Sequence, residues 1–237
     1  NNLIKLEDLK IPNKKVPTHT KEERARLQKA FGYTYEDFRT SILPMALNGS
    51  ESIGAMGIDT PLAVLSNRHQ PLFNYFKQLF AQVTNPPIDS IREKIVTATT
   101  VYLGKDGNIL EEQPENCKNL KINNPILTNT DLLKIKNMKV EGFKVETIPI
   151  TYYKNTSIEK AIDHLFVEVD RAHREGANII ILSDRGVDEN HVAIPSLLAV
   201  GAVQHYLVQT KKRTSMAVIL ESGEPRDVHH FATLLGY

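Results

Sequence analysis

The chain has 237 residues, 41% of them hydrophobic and 24% charged, with a formal net charge of +1. This composition is typical of a globular protein with one large or two small domains, and the near-neutral charge excludes strong attraction to nucleic acid or an anionic membrane. The single cysteine, Cys117, excludes an internal disulfide and a metal cluster held by several thiolates of this chain. We therefore expect neither nucleic acid nor a membrane as a partner.

The start of the chain does not resemble a targeting signal. Its first residues, NNLIKLEDLKIP, lack the basic-then-apolar layout of a signal peptide. No apolar run approaches the roughly 20 residues that cross a bilayer, so we expect a cytoplasmic protein. Because the sequence starts without Met and stops at LLGY inside an apolar pattern, we also expect a piece of a longer polypeptide.

Residues 1–120 predict helices, loops and a hairpin. Within them, residues 20–48 predict two helices, and Thr34 with Asp37 three residues later forms a capping-box pattern at the start of the second. Pro44 is expected to bend the last turn of that helix. The glycine-rich stretch NGSESIGAMGIDTP then predicts a flexible connection.

Two more elements are predicted before residue 120. The apolar residues from Leu72 to Val83 recur at 3.6-residue spacing, which predicts a helix with a buried aromatic face. Residues 97–103 and 108–111, joined by the turn GKDG, predict a β-hairpin. Between these elements, the stretch FAQVTNPPIDSIRE is stiffened by two consecutive prolines. Stiffness suits both a positioned catalytic group and a structural corner, so this stretch alone leaves both interpretations open.

From about residue 121, predicted strands alternate with predicted helices. A continuously apolar run at 178–183 is typical of a parallel strand covered on both faces. The other strands are predicted at 125–128, at 145–152 with Pro149 marking an edge or bulge, and at 216–220. The helices are predicted over DLLKIKNM, from a Thr156–Glu159 capping box to Gly176, from Pro195 through Val203, and from Asp227 to Leu235.

The fold class that follows is α/β. We expect a mostly parallel βαβ sheet, open or closed only as an incomplete barrel, preceded by an irregular helical part. Residues 1–120 and 121–237 are predicted to be two parts of one domain.

Polar residues follow two of the predicted strands. Ser183, Asp184 and Arg185 come after IIIL, and Glu221 begins a polar stretch after AVIL. Because ligands bind where parallel strands deliver their carboxyl ends, we expect these residues on one rim. Asp184, Arg185 and Glu221 are therefore a candidate site for an anionic or amide ligand. The alternative is that Asp184 caps a turn and pairs with Arg185 or Arg226 on a solvated edge.

No catalytic or metal-binding pattern stands out. His229 and His230 are consecutive, so a helix points them about 100° apart and they cannot chelate one ion together. At least one is expected to lie at the surface or in packing. The glycines at 49–57 are followed by no Lys-Ser or Lys-Thr pair, which argues against a phosphate loop, and no Gly-x-Ser-x-Gly motif is present. We expect no catalytic, cofactor-binding or metal-binding residue in this chain.

Several blocks of the sequence resemble the central domain of the glutamate synthase large subunit. In order, they are MGIDTPLAVLS from residue 56, LFNYFKQLFAQVTNPPID from residue 72, PILT from 125, LSDR from 182, IPSLLAVGAV from 194 and RDVHHFATLLGY from 226. Together they cover nearly the whole chain. The resemblance implies an open or incomplete TIM-like barrel related to the flavin domain of that family.

The resemblance also implies a role without chemistry of its own. In the family, an amidotransferase domain releases ammonia from glutamine, and a flavin domain with FMN and a 3Fe-4S cluster reduces the 2-iminoglutarate formed from 2-oxoglutarate. The central domain links these two domains of the same polypeptide, whose electrons come from ferredoxin, NADH or NADPH, in some cases through an electron-donor subunit. The nucleophilic cysteine and the cofactor ligands lie outside this chain, so it is expected to be inactive alone.

The family's ammonia tunnel runs near the junction of its domains. By resemblance, we hypothesise that Thr84, Asn85, Pro86 and Pro87, with Asp89 close by, shape that junction. A plain corner that terminates a helix remains the alternative for these residues.

Two positions depart from the family pattern. Ile58 stands where the family usually has an acid, which leaves Asp59 alone and weakens any role that needs two acids there; Ser90 replaces a common proline and should loosen its turn.

Two other interpretations of the chain remain open. It is a stand-alone α/β enzyme with a strand-end site, or a pure interaction module.

Overall fold

The computed structural model describes residues 2–52, 62–78, 80, 81, 83, 86–108 and 110–237. The strands in these ranges are β1 (Ile4–Lys5), β2 (Val101–Gly104), β3 (Asn119–Ile122), β4 (Val145–Pro149), β5 (Thr151–Tyr153), β6 (Ile179–Ser183), β7 (His191–Ala193) and β8 (Ala217–Glu221). The α-helices are α1 (Lys21–Ala30), α2 (Leu43–Asn48), α3 (Glu93–Val96), α4 (Asn129–Lys136), α5 (Ile158–Arg174), α6 (Ser196–Gln209) and α7 (Val228–Leu235). A π-helix (Asp37–Ile42) runs into α2.

A three-stranded parallel sheet, in the order β4-β6-β8, organises the second half of the chain. α5 connects its first two strands, and α6 lies between β6 and β8 in the sequence. All five residues of β6 are buried, because helices and a second sheet cover both faces of this central strand. The predicted α/β fold is confirmed, and no closed barrel forms within the described residues.

Alternate side chains of β6 enter two different cores. Ile180 and Leu182 pack with apolar residues of α5 and α6. On the other face, Ile179 and Ile181 pack with β3 and α4. β3 also holds β1 in parallel and β2 in antiparallel pairing, so this small sheet and α4 form the second covering layer.

The helices of the βαβ part begin close to their predicted positions, but α6 continues to Gln209 rather than ending at Val203, and the predicted cap of α5 is wrong. The buried residues of α5 are Ala161, Leu165, Val169 and Ala172, as its periodicity predicts. Its N-cap is Ser157, whose hydroxyl accepts from the Lys160 N–H, so the predicted Thr156–Glu159 capping box is wrong. Ser157 has the extended backbone that an N-cap needs.

The helix predicted from Leu72 to Val83 is wrong. The structure has a 3₁₀ turn (Leu72–Phe76), and Lys77 is already extended. Phe73 is fully buried, whereas Phe76, Phe80 and Val83 are 54%, 65% and 75% exposed. Helices in proteins are held mainly by packing of a whole face. Within the described residues, only the Phe73 side chain is buried rather than a whole helix face. The apolar pattern therefore lacks the tertiary packing that would stabilise a longer helix.

The hairpin predicted between 97–103 and 108–111 is also wrong. β2 pairs with β3 instead, with Leu103 opposite Leu120. The Asn116 side chain donates to the carbonyls of Asn108 and Glu111, at 2.8 Å each. These bonds hold the segment as a turn and occupy acceptors that a second strand would have used.

The strand predicted at 125–128 does not form, and β3 takes that place in the order of elements. Thr128 caps α4 in a reciprocal pair with Asp131, so it belongs to a helix start. Thr34 and Asp37 make the predicted reciprocal bonds, at 2.8 and 3.1 Å. They lead into the π-helix rather than a regular α-helix, and Pro44 lies in the first turn of α2 rather than the last turn of the predicted helix.

Candidate functional site

The polar ends of β6 and β8 meet on one rim, because the parallel register places Ser183 opposite Glu221. The Glu221 carboxylate accepts from Ser183 Oγ at 2.7 Å and from Arg185 Nε at 2.5 Å. Lys136 Nζ from α4 contacts the same carboxylate at 2.7 Å. Burial alone would raise the pKa of Glu221, but these donors lower it below its ordinary value.

Asp184 lies beside this group but has different partners. Its side chain accepts from Ser222 Oγ at 2.5 Å and from the Gly223 N–H at 3.0 Å. Burial raises the pKa of Asp184 above its ordinary value, against the effect of these two hydrogen bonds. Asp184 thus holds the loop after β8, and it pairs with neither Arg185 nor Arg226, the partners expected in the structural alternative.

Glu224 from the same loop caps α6. Its Oε2 accepts from the Ser196 N–H at 2.7 Å and from Ser196 Oγ at 2.5 Å. The N-cap residue, Pro195, makes no side-chain cap bond of its own. A carboxylate at a helix N-terminus is favourable both as an acceptor and through the helix dipole. The sequence alone did not predict this role, because cap and helix are 28 residues apart.

Arg226 connects the rim to the N-terminal helical part. Its side chain is buried and donates to Asp37 Oδ2 at 2.8 Å and to the Phe31 carbonyl at 2.5 Å. A third bond reaches the Gly32 carbonyl, and the guanidinium lies 4.0 Å from the Tyr33 ring centroid. Sequence reasoning missed this cluster because the partners are about 190 residues apart, and no local pattern marks them.

The two adjacent histidines are both engaged in packing contacts. His229 Nε2 lies 2.9 Å from the Phe73 carbonyl. The His230 ring stacks on Phe73 with centroids 4.4 Å apart, and its Nδ1 accepts from the Arg226 N–H. Burial lowers the pKa of His230 below its ordinary value. Both histidines therefore pack Phe73 against α7.

The candidate junction is only partly described. Thr84 and Asn85 lie outside the described residues, as do Ile58 and Asp59. Pro86 and Pro87 are exposed. Asp89 Oδ1 accepts from the N–H of Arg92, and Oδ2 pairs with Arg92 Nε at 2.7 Å. This pairing fixes the turn that precedes α3, whereas the role of the junction stays a prediction.

The chain has too few cysteines to hold an iron–sulfur cluster alone, and its described residues form no metal site. Its single cysteine, Cys117, is exposed. Among the residues that the structure describes, no three His, Cys, Asp or Glu side chains converge as a metal site. Across the same ranges, no helix combines the length and apolar character that a membrane span needs.

Comparison with known proteins identifies the family. The family model of the glutamate synthase central domain matches residues 26–237. Over 210 residues, the chain is 44% identical to the large chain of the NADPH glutamate synthase of Bacillus subtilis, covering 89% of this chain and 14% of that protein. The NADH glutamate synthase of Schizosaccharomyces pombe is 46% identical over 213 residues, covering 88% of this chain and 10% of that protein.

The name of a third relative specifies a different electron donor. The ferredoxin-dependent glutamate synthase 2 of Synechocystis is 42% identical over 214 residues, covering 89% of this chain and 14% of that protein. The chain therefore spans 10% to 14% of the length of these relatives. It belongs to the glutamate synthase central domain family, as the resemblance in its sequence implied.

Proposed function

We propose that this chain is the central, non-catalytic domain of a glutamate synthase, an oxidoreductase that converts glutamine and 2-oxoglutarate to two glutamates. It joins a glutamine amidotransferase domain to an FMN-containing synthase domain and contributes to the wall of the ammonia tunnel between them. The family match over residues 26–237 supports this proposal. The small share of each relative that the chain spans supports a role as one part of a longer polypeptide.

One observation carries the non-catalytic part of the proposal: the carboxylates of the rim are already held by donors from this chain. Glu221 is held by Lys136, Ser183 and Arg185. Asp184 is held by Ser222 and Gly223. A catalytic acid or base must lie within hydrogen-bond reach of the proton that it transfers. These groups instead tie strand, loop and helix together.

The redox chemistry belongs to other parts of the parent enzyme in this proposal. FMN and a 3Fe-4S cluster would supply hydride and electron transfer there, and this chain has too few thiolates to hold the cluster. The relatives' names include NADPH, NADH and ferredoxin. Any of these three donors, reaching the flavin directly or through an electron-donor subunit, is compatible with the residues of the chain.

The tunnel role rests on the chemistry of ammonia. Near neutral pH ammonia in water is almost wholly ammonium, which is not a nucleophile, so transfer between two sites requires a path that excludes water. Two consecutive prolines and the Asp89–Arg92 pair provide a stiff backbone next to Thr84 and Asn85. Pro86 and Pro87 are exposed, which leaves this surface available for a neighbouring domain.

The test compares glutamine consumed with glutamate formed by the full-length enzyme. Replacing Thr84 and Asn85 by Ala should release ammonia to solvent, so more glutamine is hydrolysed for each pair of glutamates. Asn13 and Thr18 are exposed and lie outside the segment, and their double Ala variant serves as the matched control. Unchanged one-to-two coupling in the Thr84 and Asn85 variant would remove these residues from the path and favour a pure interaction module.

A second measurement tests whether the chain is part of a larger enzyme. An antibody raised against it should detect, in the source cells, a polypeptide several times larger than 26.7 kDa. A band at that mass, or bound flavin or turnover by the chain alone, would contradict the proposal and make Asp184, Arg185 and Glu221 the first residues to examine for chemistry.

A further inference from the structure

One edge of the parallel sheet is unpaired in the described residues. β8 pairs with β6, and no described strand pairs with its other side. The Ala217 N–H donates to the Asn178 carbonyl, and the Glu221 carbonyl accepts from the Asp184 N–H. These two bonds fix which backbone groups face β6. By the alternation of a β-strand, the N–H and C=O groups of Val218 and Leu220 face the opposite side.

That side of β8 borders a large cavity. Its volume is about 1550 Å³, and Val218 and Leu220 are among its lining residues. Pockets for drug-sized molecules measure about 300–1,000 Å³, so this cavity exceeds them. Apolar side chains from four separate segments also line it: Leu27, Leu103, Leu127 and Phe231. Charged side chains of α1 and of the rim, among them Arg24 and Arg185, lie at the same cavity. Its size, its apolar side chains and a wall of backbone groups that no described strand pairs with fit a stretch of polypeptide.

The position of α1 is a second, independent observation. This ten-residue helix contains no buried residue, although Leu27 faces the cavity. The helix is tied to the rim only near its C-terminal end in the bonds described above, where the Phe31 carbonyl accepts from Arg226. A helix in a folded domain is normally held by packing one face. α1 therefore buries no side chain on its cavity side, where Leu27 is only half-buried.

The winding of the sheet indicates what fills this space. Spatial order and chain order agree along β4, β6 and β8, with a helix between successive strands, so each new strand is added on the same side. α7 follows β8, and Leu234 at its C-terminal end packs on the core, while Tyr237 lines the cavity. Continuing the same βαβ pattern places the next strand against the free edge of β8.

We propose that the strand following α7 in the parent polypeptide enters this cavity, pairs in parallel with β8 through Val218 and Leu220, and gives α1 its packing surface. The proposal rests on the proposed function only in that the chain belongs to a longer polypeptide. A strand that matches β8 has about five residues and a length of about 16 Å. Because it would be covered on both faces, its side chains should be mainly apolar and β-branched.

A site-specific photocrosslink in the full-length enzyme identifies the occupant. Benzoylphenylalanine at Leu27 reaches the cavity from a helix without buried residues, which keeps folding intact. Ala25 on the same helix is exposed and does not line the cavity, so the probe at this position is the matched control. The probe at Leu27 should link to residues within about the first 12 after Tyr237, a short loop plus one strand.

Other crosslinking outcomes overturn the proposal. A link from Leu27 to residues 53–61, to a distant domain or to a second copy of the chain would identify a different occupant. A yield at Leu27 no higher than at Ala25 would mean that the cavity stays open. These readouts do not depend on turnover, so they are separate from the coupling test of the tunnel. A native polypeptide of 26.7 kDa would contradict both proposals together, through the absence of any following strand.

Hydrogen exchange of the unmodified full-length enzyme provides a check without substitution. If a strand pairs with β8, the amides of Val218 and Leu220 should exchange within about tenfold of the rate at Ile219, which is bonded to β6 by the register. Exchange at Val218 and Leu220 more than about 100-fold faster than at Ile219 would show a free edge and overturn the pairing.

Discussion

Replacing Arg226 by Met should destabilise the fold strongly, because the substitution removes one partner of a buried ion pair. The Arg226 side chain is 4% exposed and that of Asp37 is 28% exposed. Breaking a buried pair costs about 3–5 kcal/mol, and the partial exposure of Asp37 places the loss near 3 kcal/mol. The carbonyls of Phe31 and Gly32 also lose a donor, which adds about 1 kcal/mol. At this chain length, the total of about 4 kcal/mol corresponds to a fall in Tm of about 8–16 °C.

The assay is urea unfolding followed by circular dichroism, arranged as a double-mutant cycle with Asp37→Asn. The two substitutions should be coupled by about 1–3 kcal/mol, because each removes the same pair. If the Met variant does not fold, Arg226→Lys keeps the charge but loses the planar fork and should cost less. Additive effects within about 0.3 kcal/mol would refute the reasoning.

A partly exposed ion pair provides the control for that experiment. Lys212 Nζ lies 2.6 Å from Asp170 Oδ1, and the two side chains are 25% and 27% exposed. Lys212→Met should therefore cost less than about 1 kcal/mol. A loss as large as that at Arg226 would mean that burial is not what makes the Arg226 contact strong.

Three further changes should follow from the structure. The pKa of His230 is lower in the folded state, so the unfolded chain binds more protons and stability should fall as pH drops below about 6.5; His230→Gln should flatten the slope of unfolding free energy against pH in that range, and an unchanged slope would contradict the assignment. Leu207→Ala should cost about 2–5 kcal/mol in urea unfolding because the residue is fully buried, and a loss below 1 kcal/mol would place it outside the core. Gly104→Ala should lower Tm, because φ is +146° and an added Cβ would lie 2.7 Å from Asn119 Oδ1; an unchanged Tm would show that this strand end can relax.

The candidate rim was predictable in position but not in detail. Two apolar runs followed by polar residues placed Asp184 and Glu221 on one edge, because parallel strands share a direction. The partners were not predictable, since Lys136 and Ser222 reach the rim from separate parts of the chain. Arg226 is the clearest case. Its Asp37 partner is 189 residues away, so no spacing in the sequence marks the pair.

The sequence by itself determined the elements whose signals are local and strong. β6 is a continuous apolar run, α5 has a full apolar face, and Asp227 caps α7 with its own side chain. Blocks of sequence spread along the chain also determined the family. In these cases the residues that define the element also supply most of its stabilisation, so a local pattern is sufficient.

Only the tertiary structure decided the elements that depend on distant partners. The apolar spacing from Leu72 onward ends as a short turn, because the buried contact is a single ring stacked on His230. The strand β2 pairs with β3 rather than with the residues after its turn, since Asn116 occupies the carbonyls that a hairpin would need. Which residues cover a helix face or pair with a strand edge depends on the fold of the whole chain. A local pattern in the sequence therefore does not determine these partners.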